Sequence, residues 1–290
     1  MRRRLSATLT ALVAAVVTVA GAPAITASQA TEERPLRYVA LGDSYSAASG
    51  VLPVDPTAPP QCLRSTKNYP HVIAARTGAA LRDVTCGAAE TRDYFQPQYD
   101  GVPPQLEALR RGTQLVTMTI GGNDNNVFFG AIVKCGTAGL STAGQGSPCK
   151  DQYGGSFARD IREKTFPALI RALRAVHRHA PNARVAILGY PWIVPRAVGC
   201  FEKMPIARGD VPYLRDIQRL LNRKIGQAAE RTNTRYVGMN RFSHGHDACK
   251  PIGVRWVEPV ITTTNPVVVH PNALGERKMA RRTMRALNLS

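Results

Sequence analysis

Residues 37–46 read RYVALGDSYS: an apolar run that stops at Gly42 and hands over to small polar residues. A short apolar run bounded by glycine fits a strand buried on both faces. Four further runs repeat the pattern, at Leu81–Thr85, Gln114–Ile120, Arg184–Leu188 and Arg235–Val237. Helical patterns lie between them at Asn68–Thr77, Pro104–Arg110, Phe157–His179 and Tyr213–Thr232, and a last helix runs from Asn272 to Leu287. Strands alternating with helices predict an α/β chain, a single three-layer α/β/α domain around a central parallel sheet of about five strands. The insertions Val51–Lys67, Lys134–Tyr153 and Ala197–Pro212 are expected to be surface loops stapled by cysteines.

Ligands of such sheets sit beyond the carboxyl ends of the strands, so the residues at those ends matter most. Ser44 follows the first strand, Gly87 the second and Asn123 the third; His270 stands just before the last helix. Taken singly, each has a plain structural explanation: a helix cap, a turn glycine, a turn asparagine and a loop histidine. Together they supply a hydroxyl, a backbone donor, a carboxamide and an imidazole, which are the parts acyl transfer requires.

The blocks VALGDSYSAASG, CGAAE, IGGNDNN and HPNALGERKMA, in that order, resemble the four motif blocks of GDSL-type (SGNH) hydrolases. GVPPQLEAL, ahead of the third block, is similar to the secreted lipase and esterase branch from actinomycetes. The resemblance covers the chain from Tyr38 to the last helix and implies a flavodoxin-like layering. It implies catalytic roles for Ser44 as nucleophile and His270 as general base. It also implies an oxyanion hole made by the Ser44 and Gly87 backbone N–H groups and the Asn123 side chain, with no cofactor and no metal. One position departs from the family pattern. An Asp often stands three residues before the histidine, and here that residue is Val267. A Ser–His dyad with the imidazole oriented by the carbonyl of Val267 or Val268 is therefore expected, with Glu258, Asp247 and Asp93 as the rival acids.

The rest of the chain sets the context. Arg2, Arg3 and Arg4 precede an almost wholly apolar run from Ala7 to Ala24, and no acid occurs before Glu32. That pattern predicts a signal peptide over residues 1–30, removed to leave a 31–290 hydrolase domain and directing secretion to the extracellular side. The formal charge of +18 falls only to +15 on its loss, because three arginines leave with it. The basic residues are scattered and no nucleic-acid motif accompanies them. The charge therefore points to transient attraction to an anionic membrane or envelope surface, with the chain a monomer. Six cysteines in an exported chain imply three disulfides. Fifteen connectivities are open; sequential pairing, Cys62–Cys86, Cys135–Cys149 and Cys200–Cys249, is the simplest.

The function expected is a serine carboxylester hydrolase, a lipase or esterase acting on lipid acyl esters. A phospholipase A, a polysaccharide O-deacetylase and a catalytically silent envelope-binding protein are the alternatives. His244-Gly245-His246-Asp247 suggests a metal site, but its spacing suits neither one helix face nor a known zinc pattern. Tyr94, Phe95, Phe128 and Phe129 fit an acyl groove and core packing about equally.

Overall fold

The computed structural model describes residues 34–289, with Thr8 and Ala11 before them; the expected signal segment otherwise lies outside the described residues. Pro35–Ser290 forms one compact unit. Its strands β1 (Arg37–Gly42), β2 (Ala80–Asp83), β3 (Leu115–Thr119), β4 (Arg184–Leu188) and β5 (Arg235–Val237) make one parallel sheet in the order β2-β1-β3-β4-β5.

Eight α-helical segments surround it among the described residues. They are α1 (Ser44–Ala47), α2 (Tyr69–Thr77), α3 (Phe129–Ser141), α4 (Pro148–Tyr153), α5 (Ser156–Asp160), α6 (Phe166–His179), α7 (Asp210–Glu230) and α8 (Ala273–Leu287). Alternate strand residues sort the layers. Val39, Leu41, Val116, Met118, Val185 and Ile187 pack with α3, α6 and α7. Tyr38, Ala40, Leu115, Ala186, Leu188 and Val237 pack with α2 and α8 on the other face. Both faces are covered, as a parallel sheet requires.

Three expectations change. Lys134–Tyr153 is not a loop: α3 and α4 occupy it, joined by the Cys135–Cys149 disulfide. Gly130, Gly136 and Gly139 each disfavour a helix by about 0.8–1 kcal/mol. The disulfide, closing a span of roughly 15 residues, returns ~3 kcal/mol on the chain-entropy model. Gly139 is also required by packing, because any Cβ there would run into the Pro205 carbonyl. The long pattern Phe157–His179 is helical but interrupted, α5 and α6 being joined by a wider π turn over Ile161–Thr165. Pro104–Arg110 holds only a 3-10 turn, Gln105–Ala108.

The remaining cysteines join as Cys62–Cys86, which ties an insertion to the end of β2, and Cys200–Cys249. The chain runs outward from β1 to β2 on one side and from β3 to β4 on the other. The topological switch point therefore falls between β1 and β3, where a crevice for ligand opens.

Candidate active site

Ser44 opens α1 immediately beyond β1, with Asp43 as the cap: its Oδ1 accepts the Tyr45 N–H at 3.0 Å. The first N–H groups of a helix have no intrahelical partner, which leaves the Ser44 N–H able to donate outward. Gly42 makes the turn at φ +122°, and the Gln105 amide pairs with both its N–H (2.7 Å) and its carbonyl (3.0 Å). The turn that carries Ser44 is thus pinned from its rear by the GVPPQLEAL segment.

His270 reaches Ser44 across the switch point. Its Nε2 lies 2.7 Å from Ser44 Oγ, and its Nδ1 lies 2.7 Å from the Val268 carbonyl. A carbonyl can only accept, so Nδ1 carries the proton and Nε2 is the free base facing the hydroxyl. Burial holds the imidazole pKa below its ordinary value, against a small opposing effect of the Val268 bond. The loop that carries it is held through its own main chain, by two backbone donors and one tyrosine hydroxyl. Glu258 N–H donates to the His270 carbonyl (2.9 Å), Val269 N–H to the Glu258 carbonyl (3.1 Å), and Tyr45 Oη–H to the Val269 carbonyl (2.7 Å). Val269 sits at φ +62°, a left-handed conformation that a β-branched residue enters only under constraint.

The three rival acids are occupied elsewhere. The Glu258 carboxylate binds Arg255, Asn272 Nδ2 and Thr264 N–H. Burial pushes that carboxyl up, but these donors together outweigh it and hold its pKa below the usual value. Asp247 caps the Cys249 N–H and Asp93 caps the Glu90 N–H.

Asn123 follows β3 and lines a cavity of about 250 Å³ together with Ser44, Gly87 and His270. Its Nδ2 donates one hydrogen to the Ala89 carbonyl at 3.0 Å; the amide nitrogen carries two, and the other remains for a ligand. Gly87 lies on the same wall, but its N–H donates to the Cys62 carbonyl at 2.8 Å. The donor expected from Gly87 is therefore engaged in this geometry, whereas the Ser44 N–H and one Asn123 Nδ2 hydrogen have no hydrogen-bond partner among the described residues. Leu63, Tyr99, Phe129 and Val267 give the cavity an apolar rim. A larger cavity, about 500 Å³, lies by Arg64, Arg82 and Arg110 and contains none of these groups.

The aromatic residues divide. Tyr94 and Phe128 are core, Phe95 lies under Arg171, and Phe129 is 40 % exposed with its ring 6.0 Å from that of His270. The His244–Asp247 segment disperses: His246 stacks on Trp256 at 4.4 Å and His244 faces Arg215. Tyr190, just beyond β4, went unread in the sequence. Its hydroxyl donates to Asp43 Oδ2 and accepts the Gly122 N–H at 2.8 Å. The strand-end logic that found the other residues applies equally to Gly189-Tyr190-Pro191.

Comparison with known proteins returns a match to the GDSL-like Lipase/Acylhydrolase family over residues 40–278. Lipase 2 of Streptomyces coelicolor is 58 % identical over 286 residues, covering 97 % of each chain. A lipase of Streptomyces rimosus is 33 % identical, covering 83 % of this chain and 82 % of that one. Among solved structures, phospholipase A1 from Streptomyces albidoflavus superposes with a TM-score of 0.71 at 28 % identity, covering 87 % of this chain and 97 % of that one. An extracellular lipase from Streptomyces rimosus gives 0.69 at 28 % identity, covering 87 % and 98 %.

Proposed function

The chain belongs to the GDSL-like Lipase/Acylhydrolase family and is a carboxylic ester hydrolase; on that premise we propose that Ser44 is its nucleophile, His270 its general base and a lipid acyl ester its substrate. The observation that carries this reading is the pair of 2.7 Å bonds that run from Ser44 Oγ through the imidazole to the Val268 carbonyl.

Ser44 Oγ attacks the ester carbon while its proton passes to His270 Nε2. The carbonyl oxygen becomes an oxyanion and takes hydrogen bonds from the Ser44 N–H and Asn123 Nδ2. Gly87 joins them only by releasing the Cys62 carbonyl. Collapse breaks the bond to the leaving oxygen, which takes the proton from the imidazolium and departs as the alcohol. Water then attacks the acyl-serine, giving its proton to His270; the acyl–Oγ bond breaks, Ser44 Oγ takes the proton back from the imidazolium, and the carboxylic acid leaves. The imidazolium formed at each step donates from Nδ1 to a neutral carbonyl, which stabilises it less strongly than a carboxylate would.

The apolar rim of Leu63, Tyr99 and Phe129 supports an acyl chain over an acetyl group as the acid part. Likeness to a phospholipase A1 and a formal charge of +18, or +15 without residues 1–30, support anionic phospholipid as one source of that ester. We read the chain as a secreted monomer meeting such surfaces transiently; its disulfides and its likeness to an extracellular lipase support export. The test is Ser44→Ala: hydrolysis of p-nitrophenyl esters is expected to fall to background with the fold intact, and a serine-directed phosphonate to label Ser44 in the wild type. Labelling at Ser46, or activity surviving full labelling, would overturn the assignment.

A further inference from the structure

Tyr190 lies between two segments that supply active-site groups. Its ring packs edge-on against Tyr45 at 5.1 Å and beside Phe128 at 5.8 Å, and is buried. Its backbone is bracketed by one side chain of α7: Tyr190 N–H donates to Asn222 Oδ1 (2.8 Å), and Asn222 Nδ2 donates to the Tyr190 carbonyl (2.9 Å). Gln218 on the same helix donates to the next carbonyl, Pro191. The hydroxyl has no freedom to choose partners. It gives its proton to Asp43 Oδ2, which precedes the nucleophile, and accepts from the Gly122 N–H, which precedes Asn123.

Asp43 is fixed in turn, its other oxygen taking Thr119 Oγ1–H at 2.6 Å and the Tyr45 N–H. The approach at the far end is close: a Cβ on Gly122 would stand 2.8 Å from the Tyr190 oxygen, so only glycine admits the hydroxyl there. One phenol thus sets the height of the Gly122-Asn123 turn relative to the Ser44 turn. The phenol hydroxyl is bonded to the residues that precede Ser44 and Asn123, not to Ser44 Oγ or the Asn123 amide.

We propose that Tyr190 is a positioning residue for the oxyanion donor: its hydroxyl, clamped between Asp43 and Gly122, fixes the Asn123 amide against Ser44. The physical reason is the steep dependence of oxyanion stabilisation on donor placement, where a displacement of about 1 Å can cost ~10²-fold in rate. A ring that merely filled the core would be served as well by phenylalanine.

This proposal rests on the reading of Asn123 as an oxyanion donor, and a double-mutant cycle separates the two. Tyr190→Phe keeps the ring and removes the one oxygen. It is expected to lower kcat roughly 10- to 100-fold with KM changed less than about twofold. In the Asn123→Ala background the same change is expected to cost less than about twofold, because the donor it positions is gone. If Tyr190→Phe lowers melting temperature but leaves kcat, or if its effect adds fully to that of Asn123→Ala, the positioning role is overturned while the donor stands. If Asn123→Ala itself retains kcat, both readings fail. Should Tyr190→Phe not fold, Gly122→Ala drives the hydroxyl off from the other side, and the same kcat loss and the same coupling to Asn123 are expected of it.

Discussion

The two halves of the active site are built differently. The Ser44–Asn123 half sits on the ends of β1 and β3 and, beside the backbone bond from Asp43 N–H to the Thr119 carbonyl, is secured mostly by side chains: Gln105 behind Gly42, Asp43 with Thr119, Tyr190 with Gly122. The His270 half is an irregular loop secured largely by main chain, with Glu258 pairing to His270 and Val269, the Tyr45 hydroxyl on the Val269 carbonyl, and a carbonyl, not an acid, orienting the imidazole. The contrast assigns precision to the first half and tolerance to the second. Oxyanion stabilisation needs several donors converging on one atom, each lost steeply over about 1 Å, whereas a base needs one contact, the correct tautomer within hydrogen-bond reach.

The largest test of that contrast strikes the side-chain half. Asn123→Ala is expected to lower kcat roughly 10²- to 10³-fold with KM little changed, as steady-state kinetics would report. A normal kcat with a lowered melting temperature would make the residue structural and erase the difference between the halves.

On the main-chain half, Glu258→Gln is the sharper probe. It leaves the buried Arg255 without its charge partner, and breaking such a pair typically costs about 3–5 kcal/mol of stability. Denaturant unfolding should show that loss, while kcat at a temperature where the variant is folded stays within about tenfold of wild type. A loss of activity without a loss of stability would mean that the carboxylate serves the chemistry.

The smallest effect is in pH. On the proposed mechanism neutral His270 is the working base, so kcat/KM is expected to fall as the imidazole gains a proton. Burial lowers its pKa, which places the acid limb below the ordinary imidazole value of about 6.5. A neighbouring carboxylate would raise it instead. Burial lifts Asp43 to about 6 in spite of its hydrogen bonds from Thr119, Tyr190 and Tyr45, so it titrates nearby, and a limb steeper than one proton would report both groups. A limb centred above the ordinary value would count against a carbonyl partner.

What could be read from the sequence follows the same division. Buried strands such as Arg184–Leu188 announce themselves by composition, and Ser44, Asn123 and His270 by their place at strand or helix ends. Helix α3 was hidden because Gly130, Gly136 and Gly139 lower local propensity, and only tertiary packing and the Cys135–Cys149 link restore it. Tyr190 was hidden because its role lies in one oxygen that joins residues 68 and 147 positions away. Between Val267 and Val268 the sequence offered no choice, since every residue has a carbonyl; loop geometry selects Val268. The Gly87 donor shows the reverse limit. A glycine in the right motif gave no hint that its N–H would be held by Cys62.

The most direct test of a dyad oriented by main chain compares kcat for His270→Ala with Glu258→Gln, Asp247→Asn and Asp93→Asn, each verified as folded by circular dichroism. His270→Ala is expected to lose on the order of 10⁴-fold or more, and each carboxamide variant to stay within about tenfold of wild type. A loss on the order of 10⁴-fold in any one of the three carboxamide variants, still folded, would contradict the dyad and identify the missing acid.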